Sequence, residues 1–152
     1  PRTAADRPVE PGRAKNCIVA DFLDTNVLVY AFDSNEPVKQ ARALQVMSER
    51  PDAVIGTQVL LEWYSVMTRK FSPPMPTEIA VQALMTLTEL DVVDADAELV
   101  VRAAQTSASN RLSIWDSMVI ESACMAGCQT LLSEDLADGL VVRGVTVRNP
   151  FD

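Results

Sequence analysis

Histidine is absent from this 152-residue chain, and only three cysteines occur in it. Three is too few, and an odd number, for a disulfide framework, and Cys124 and Cys128 lack the histidines or further cysteines of a zinc site. We therefore interpret Cys17, Cys124 and Cys128 as small core residues. Any metal site in this chain has to be built from oxygen ligands, which Mg²⁺ and related hard cations prefer.

Long apolar runs are also missing. No stretch approaches the roughly 20 uninterrupted apolar residues of a membrane span, and no basic segment followed by an apolar one opens the chain. The sequence therefore predicts a protein without a membrane segment and, by default, a cytoplasmic location. With 48% apolar and 22% charged residues, the composition is that of a globular domain, and the length fits one compact core.

Positive charge is scarce, since the formal net charge is −8. This negative charge argues against a domain that binds nucleic acid over its whole surface, but it is compatible with an enzyme that binds RNA through a few local Lys and Arg residues. Residues 1–16 differ from the rest because they carry a net charge of +2, three prolines and few apolar residues. We interpret 1–16 as a disordered N-terminal arm or an artificial extension, and 17–152 as a single domain.

Beyond the arm, short apolar runs alternate with amphipathic segments, which predicts strands that alternate with helices. The expected strands are 17–24, 53–56, 91–93, 130–133 and 145–147. A short helix or turn is expected after residue 24, and the longer helices are expected at 36–49, from Thr57 as N-cap to about Lys70, at 77–89, from Asp94 or Asp96 to about 108, and from Ser113 or Ile114 to near Gly127. This alternation predicts a parallel sheet covered on both faces by helices.

Four carboxylates lie where an acid is costly, inside or just after apolar segments: Asp24, Glu62, Asp116 and Asp135. Ligands of open parallel sheets collect beyond the carboxyl ends of the strands, and the first and last of these acids would project from that edge. Carboxylates that approach one another raise each other's pKa, and a bound Mg²⁺ or Mn²⁺ removes that cost. The four acids together indicate a divalent-cation pocket and phosphoryl chemistry.

Each acid also has a local structural explanation. Asp24 and Asp135 could cap a helix or a turn, and Asp116 follows Ser113 at the spacing of a capping box. Glu62 is harder to explain, because it shares an apolar helical stripe and the nearest cations along the chain are two turns away. Spacing leaves both interpretations open for the three aspartates and favours a functional role for Glu62.

Motifs at four places in the chain resemble the PIN domain and, within it, the VapC-type ribonuclease toxins of bacterial toxin–antitoxin pairs. In chain order they are FLDTNVLVYAF, the Glu within QVLLEWYSVM, RLSIWDSMVIESACMAGC, and TLLSEDLADG with its closing VTVRNPF. The resemblance covers about residues 18–152. It implies a three-layer α/β/α sandwich with a central parallel sheet of about five strands, Mg²⁺- or Mn²⁺-dependent cleavage of RNA, inhibition by a cognate antitoxin, and a tendency to form homodimers.

The family's acidic quartet corresponds by position to Asp24, Glu62, Asp116 and Asp135. The first and third are expected to bind the principal metal, and the second and fourth to complete its shell through waters or a second ion. Ser133 stands where the family has Thr or Ser, and Asn26 where it has a polar residue near the first acid. Both are expected to orient ligands or the phosphate, so that a metal-activated water hydrolyses the RNA phosphodiester.

Two other functions compete with this one. Phosphatases of the haloacid-dehalogenase type also use an Asp after a strand and Mg²⁺, but they need a second Asp two residues later and a lysine late in the chain. Here Asn26 occupies the former place, and the last lysine is Lys70. A non-catalytic acidic module that binds a basic partner would also suit the charge, but it would neither bind Mn²⁺ nor cleave RNA.

Trp63 and Trp115 each adjoin one of the four acids. A base can stack on an indole, although core packing is the more ordinary role of tryptophan. Glu134, beside the last motif, is expected to face solvent. The cations that are candidates for holding RNA are Lys39, Arg42, Arg69, Lys70 and Arg111.

Overall fold

The computed structural model of the chain describes residues 19–152, so the predictions for residues 1–16 and for Cys17 lie outside the described residues. The strands are β1 Phe22–Leu23, β2 Val54–Gly56, β3 Asp91–Val93, β4 Thr130–Leu132, β5 Val141–Val142 and β6 Val145–Arg148. The helices are α1 Thr25–Ala31, α2 Pro37–Ser48, α3 Thr57–Ser65, α4 Thr77–Leu87, α5 Ala97–Asn110 and α6 Ile114–Met125. In this part of the chain, no helix has the length and apolar character needed to cross a bilayer.

The strands form one sheet in the order β3-β2-β1-β4-β6-β5. Five of them run parallel, as predicted, whereas β5 is a sixth strand that pairs antiparallel with β6 at the edge of the sheet. The tight turn between β5 and β6 places Arg143 and Gly144 at positive φ. Strand β5 was not predicted, because it has only two residues and the first left-handed position of its turn is an arginine rather than Gly, Asn or Asp.

Helices cover both faces of the sheet. From β1 the chain winds outward to β2 and β3, and it then returns to β4 on the other side of β1. Because crossovers between parallel strands are right-handed, the connections before and after β3 lie on opposite faces. The predicted three-layer α/β/α sandwich is therefore confirmed. The reversal of strand order between β1 and β4 opens a crevice at their carboxyl ends, which is where ligands of such sheets bind.

The centre of the core is formed by the adjacent strands β1 and β4. Phe22 lies opposite Leu131 and Leu23 opposite Leu132, and all four side chains are buried. Strands covered on both faces have continuous apolar runs of this kind. The predicted strand at 17–24 is reduced to Phe22–Leu23 within the described residues. The residue before it, Asp21, is half-buried and accepts a 2.6 Å hydrogen bond from Arg50 Nε.

Two cysteines and three helix ends also test the sequence predictions. Cys128 is buried and Cys124 packs against the core, as expected. Gly56, not Thr57, is the N-cap of α3, because the Thr57 hydroxyl instead accepts a hydrogen bond from Ala95 N. Helix α3 ends at Ser65. The predicted continuation to Lys70 is a π-helical turn from Val66 to Lys70. Of the two candidate caps for α5, Asp96 is the one used.

Candidate active site

Asp24 lies at the junction of β1 and α1, and its side chain is buried. Its Oδ1 accepts a 2.7 Å hydrogen bond from Thr25 N, so it caps α1 as one interpretation of the sequence predicted. Its Oδ2 accepts a 2.7 Å hydrogen bond from the hydroxyl of Ser133, which follows β4. Capping therefore accounts for only one of the two carboxylate oxygens, and the other joins the carboxyl ends of the two central strands.

The Asp24 carboxylate is costly to ionise. Burial raises its pKa from 3.8 to about 6, against the lowering effect of the hydrogen bonds from Ser133 and Thr25, and the nearby charges of Asp135 and Glu62 raise it further. Among residues 19–152, no Lys or Arg forms an ion pair with Asp24. At neutral pH the site thus holds a buried negative charge that the described side chains do not neutralise.

Ser133 and Asn26 connect Asp24 to Asp135. The Ser133 hydroxyl accepts hydrogen bonds from Asn26 Nδ2 (3.4 Å) and from Asp135 N (3.2 Å). Asn26 Nδ2 also donates to Asp135 Oδ2 (3.2 Å), and Asn26 Oδ1 accepts from Glu134 N (3.3 Å). These bonds hold the loop after β4 against the first turn of α1. Ser133 therefore orients the Asp24 carboxylate, and Asn26 orients that of Asp135.

Glu62 approaches the same group of residues from α3. Its Oε2 accepts a 3.0 Å hydrogen bond from the Thr25 hydroxyl, and its Oε1 accepts a 2.7 Å bond from Gln58 Nε2. It forms no ion pair within the described part of the chain. The sequence analysis missed Thr25 and Gln58. The spacing of Gln58 and Glu62, four residues apart on one helix, was a signal that could have revealed the second of them.

Asp116 lies in the first turn of α6, where its backbone N–H donates to the hydroxyl of the N-cap Ser113 (3.0 Å). Within residues 19–152 its carboxylate makes no hydrogen bond or ion pair, and it contacts none of the other three acids directly. The link runs through Gln58, whose Nε2 donates both to Glu62 and to the carbonyl of Trp115 (3.3 Å). The structure thus groups Asp24, Glu62 and Asp135 and leaves Asp116 beside them.

The donor set suits a hard divalent cation. It offers carboxylate oxygens around a buried charge that lacks a cationic partner. Among residues 19–152, no three Asp, Glu or Cys side chains lie close enough together to hold a metal ion as they stand. Mg²⁺, however, usually takes only one or two protein carboxylates and keeps several waters. The residues that would hold such an ion are Asp24, Glu62, Asp116 and Asp135.

The prediction that Glu134 faces solvent is wrong, because its side chain is half-buried and has two partners. It forms an ion pair with Lys39 and accepts a 2.7 Å hydrogen bond from the Tyr30 hydroxyl. Lys39 also lies 4.5 Å from the centre of the Tyr30 ring. Lys39, one of the candidate RNA-binding cations, is therefore engaged in tying α2 to the loop that carries Asp135.

The raised pKa of Asp24 predicts how stability varies with pH. Without metal, the protonated Asp24 carboxyl stabilises the folded state relative to the unfolded chain. This stabilisation is fully present below pH 3.8 and is lost as the pH rises through about 6, because the buried carboxyl must then ionise. Two pKa units correspond to a loss of about 3 kcal/mol. Urea unfolding in EDTA between pH 3 and pH 8 measures this loss as a difference between the chain and Asp24→Asn. Parallel pH profiles for the two proteins would contradict the prediction.

Solved structures with the same architecture come from toxin–antitoxin proteins. VapC20 of Mycobacterium tuberculosis, a sarcin–ricin loop cleaving toxin, has a TM-score of 0.61 and 18% identity, over 74% of this chain and 87% of its own. A toxin–antitoxin complex from Klebsiella pneumoniae has a TM-score of 0.67 and 16% identity, over 86% and 98%. DNA-bound VapBC from Salmonella typhimurium has a TM-score of 0.62 and 16% identity, over 88% and 99%.

These identities are low enough that the likeness shows the fold alone. A comparison with curated proteins finds no match. The model of the PIN domain family, however, matches residues 22–137, well over half of the chain and the whole span from β1 to the loop after Asp135. On that match, the chain belongs to the PIN domain family.

Proposed function

We propose that this protein is a divalent-metal-dependent endoribonuclease toxin of the VapC type, held inactive by a cognate antitoxin. The observation that carries the proposal is the buried Asp24 carboxylate, which has no cationic partner in the described residues and lies beside Glu62 and Asp135. Family membership supports it, because PIN-domain nucleases generally use divalent metal ions. The likeness to VapC20, which cleaves the sarcin–ricin loop, supports an RNA substrate.

The side chains have distinct roles in this proposal. Asp24 and Asp116 would hold Mg²⁺ or Mn²⁺, and Glu62 and Asp135 would complete its surroundings through waters or a second ion. Such an ion would stabilise negative charge at the scissile phosphate and would lower the pKa of a water, so that this water can lose a proton and attack. Glu62, oriented through both of its oxygens by Thr25 and Gln58, accepts the proton of that water.

Ser133 and Asn26 orient the acids of the site through hydrogen bonds. The Ser133 hydroxyl donates to Asp24, which keeps that carboxylate turned toward the crevice, and Asn26 holds Asp135 in place. No histidine is needed for proton transfer, because carboxylates can act as general bases. The phosphodiester would then be hydrolysed in one displacement: the water oxygen bonds to phosphorus as the bond to the leaving 3′ oxygen breaks, without a covalent intermediate on the protein.

The proposal predicts that RNA cleavage depends on added metal. Purified protein incubated with RNA and Mg²⁺ or Mn²⁺ should produce discrete fragments, and EDTA should abolish them. Mn²⁺ at about 100 times its dissociation constant should also stabilise the fold by about 3 kcal/mol in a thermal or urea titration. Neither cleavage nor a Mn²⁺-dependent shift would be found if the chain were only an acidic binding module, and that result would refute the proposal.

Exposed apolar side chains support the proposed protein partners. Several of them project from α2 and α4, where a second copy of the chain or an antitoxin would cover them. Related structures include toxin–antitoxin complexes bound to DNA, among them VapBC from Salmonella typhimurium and FitAB. The most exposed apolar residues on these two helices are Val38, Leu44, Ile79, Val81 and Met85.

A further inference from the structure

A cavity of about 370 Å³ opens directly beside Glu62. One wall is the end of α3 together with the π-helical turn from Val66 to Lys70, and the other is the first turn of α6. A π-helical turn is wider than an α-helical one and is often found at functional sites. Gln58 Nε2 joins the two walls through its bonds to Glu62 and to the Trp115 carbonyl. The lining residues are Glu62, Ser65, Val66, Lys70 and Trp115.

The two tryptophans of the chain differ sharply in exposure. Trp63 is fully buried and donates its indole N–H to the Leu28 carbonyl, so it is part of the core. Trp115 is 64% exposed and lines the cavity beside Glu62. A large aromatic side chain left in solvent at the rim of a cavity is a typical element of a recognition surface. Of the two stacking candidates, only Trp115 is therefore accessible to a ligand.

Among the cations that have no partner in the described residues, Lys70 lines the same cavity. Residues 19–152 contain nine Lys and Arg residues. Five of them form ion pairs, and Arg42 donates to the Pro150 carbonyl. The other three, Arg69, Lys70 and Arg111, are exposed and have neither an ion pair nor a side-chain hydrogen bond within that range.

Lys70 lines the cavity, and Arg69 precedes it in the same π-helical turn. Arg111 lies three residues before α6, whose first turn forms the other wall. The other described cations form ion pairs or, in the case of Arg42, donate to a backbone carbonyl. Free positive charge beside an exposed aromatic ring favours a ligand that combines an anion with a planar group.

We propose that this cavity is a subsite for one nucleotide of a single-stranded RNA, in which the base stacks on Trp115 and the adjoining phosphate contacts Lys70. The proposal rests on the proposed function, because it places that nucleotide next to Glu62 and the strand across the acidic crevice. Stacking on an indole tolerates any base. The subsite therefore positions RNA and requires an unpaired base, which a duplex cannot supply without opening.

The test uses the full chain in EDTA, so that binding is measured without turnover. The probes are a mixed-sequence single-stranded RNA of about ten nucleotides, within the range that such grooves hold, and the same strand with abasic sugars. Trp115→Ala should weaken binding of the first probe about 5- to 100-fold and Trp115→Phe much less. Lys70→Gln should lower the slope of log affinity against log salt by about 0.7.

Matched controls lie on other surfaces. Val141→Ala removes another exposed apolar side chain, and Arg102→Gln removes a cation that is paired with Glu98; both variants should bind RNA as the original chain does. RNA should also quench tryptophan fluorescence in the original chain but not in Trp115→Phe, since Trp63 is buried. The abasic strand should bind the original chain and Trp115→Ala equally.

Each contrary outcome has a separate meaning. If the original chain binds RNA and cleaves it with Mn²⁺, but Trp115→Ala binds within twofold of it, the subsite is refuted and the proposed function stands. If Trp115→Ala impairs only the binding of a peptide with the sequence of the cognate antitoxin's C-terminal segment, the cavity is a protein-docking site and the subsite is again refuted. If the original chain neither binds nor cleaves RNA, the proposed function fails and the subsite with it.

Discussion

Asp24→Asn is expected to lower metal-dependent RNA cleavage by about a thousandfold or more, which corresponds to about 4 kcal/mol of lost charge stabilisation in the transition state. Asparagine keeps the shape of Asp24 and its bond from Thr25 N, but it removes the negative charge that a divalent cation needs as a ligand. In metal-free protein the same substitution should increase stability, because the cost of ionising a buried carboxylate disappears. Initial rates over a range of Mn²⁺ concentrations, with urea unfolding of the same samples, measure both effects.

Asp94→Asn is the matched control. Asp94 also directly follows a parallel strand, β3, but its side chain is exposed and makes no hydrogen bond in the described structure. Its replacement should change neither cleavage nor stability beyond about 0.5 kcal/mol. Cleavage by Asp24→Asn at the rate of the original chain would remove Asp24 from the proposed site.

Trp63→Ala is expected to lower the free energy of unfolding by about 3 to 5 kcal/mol. Trp63 is fully buried, its ring packs edge-to-face on Phe32 with centroids 5.1 Å apart, and its indole N–H donates to Leu28 O. The substitution would leave a large cavity between α1 and α3 and an unpaired carbonyl in α1. Urea unfolding followed by circular dichroism measures the loss.

Trp115→Ala provides the comparison within the same residue type. Because Trp115 is mostly exposed, its removal should cost less than about 1 kcal/mol. Trp63→Phe should recover part of the loss, since phenylalanine fills much of the cavity without restoring the hydrogen bond. Similar unfolding free energies for the two alanine variants would contradict the assignment of Trp63 to the core and of Trp115 to the surface.

The features that the sequence predicted are those set by local pattern. Short apolar runs such as TLL before Ser133, alternating with amphipathic segments, predict strands of a buried parallel sheet, and the topology of such a sheet brings acids after its strands to one edge. Asp24 and Asp135 followed from that rule, whereas Ser133 followed from the family resemblance. The interpretation of Glu62 required one more step, namely that a carboxylate on an apolar helical stripe needs a partner.

The features that it did not predict depend on contacts across the fold. The hydrogen bond from Thr25 to Glu62 joins residues 37 positions apart, and no local sequence pattern predicts it. The ion pair of Lys39 with Glu134 likewise exists only once α2 lies beside the loop after β4. The link between the Asp116 helix and Glu62, through Gln58 and the Trp115 carbonyl, also joins residues that are distant along the chain.

The burial of Asp24 makes protons and metal competitors for one carboxylate. With Asp24 as a ligand and a pKa of about 6, one proton has to leave for each cation that binds below that pH, so the apparent metal affinity should fall by up to about tenfold for each further pH unit. Under the proposed function, mild acid is therefore expected to displace the cation while it relieves the fold of a buried charge, so that RNA cleavage would stop before the domain unfolds.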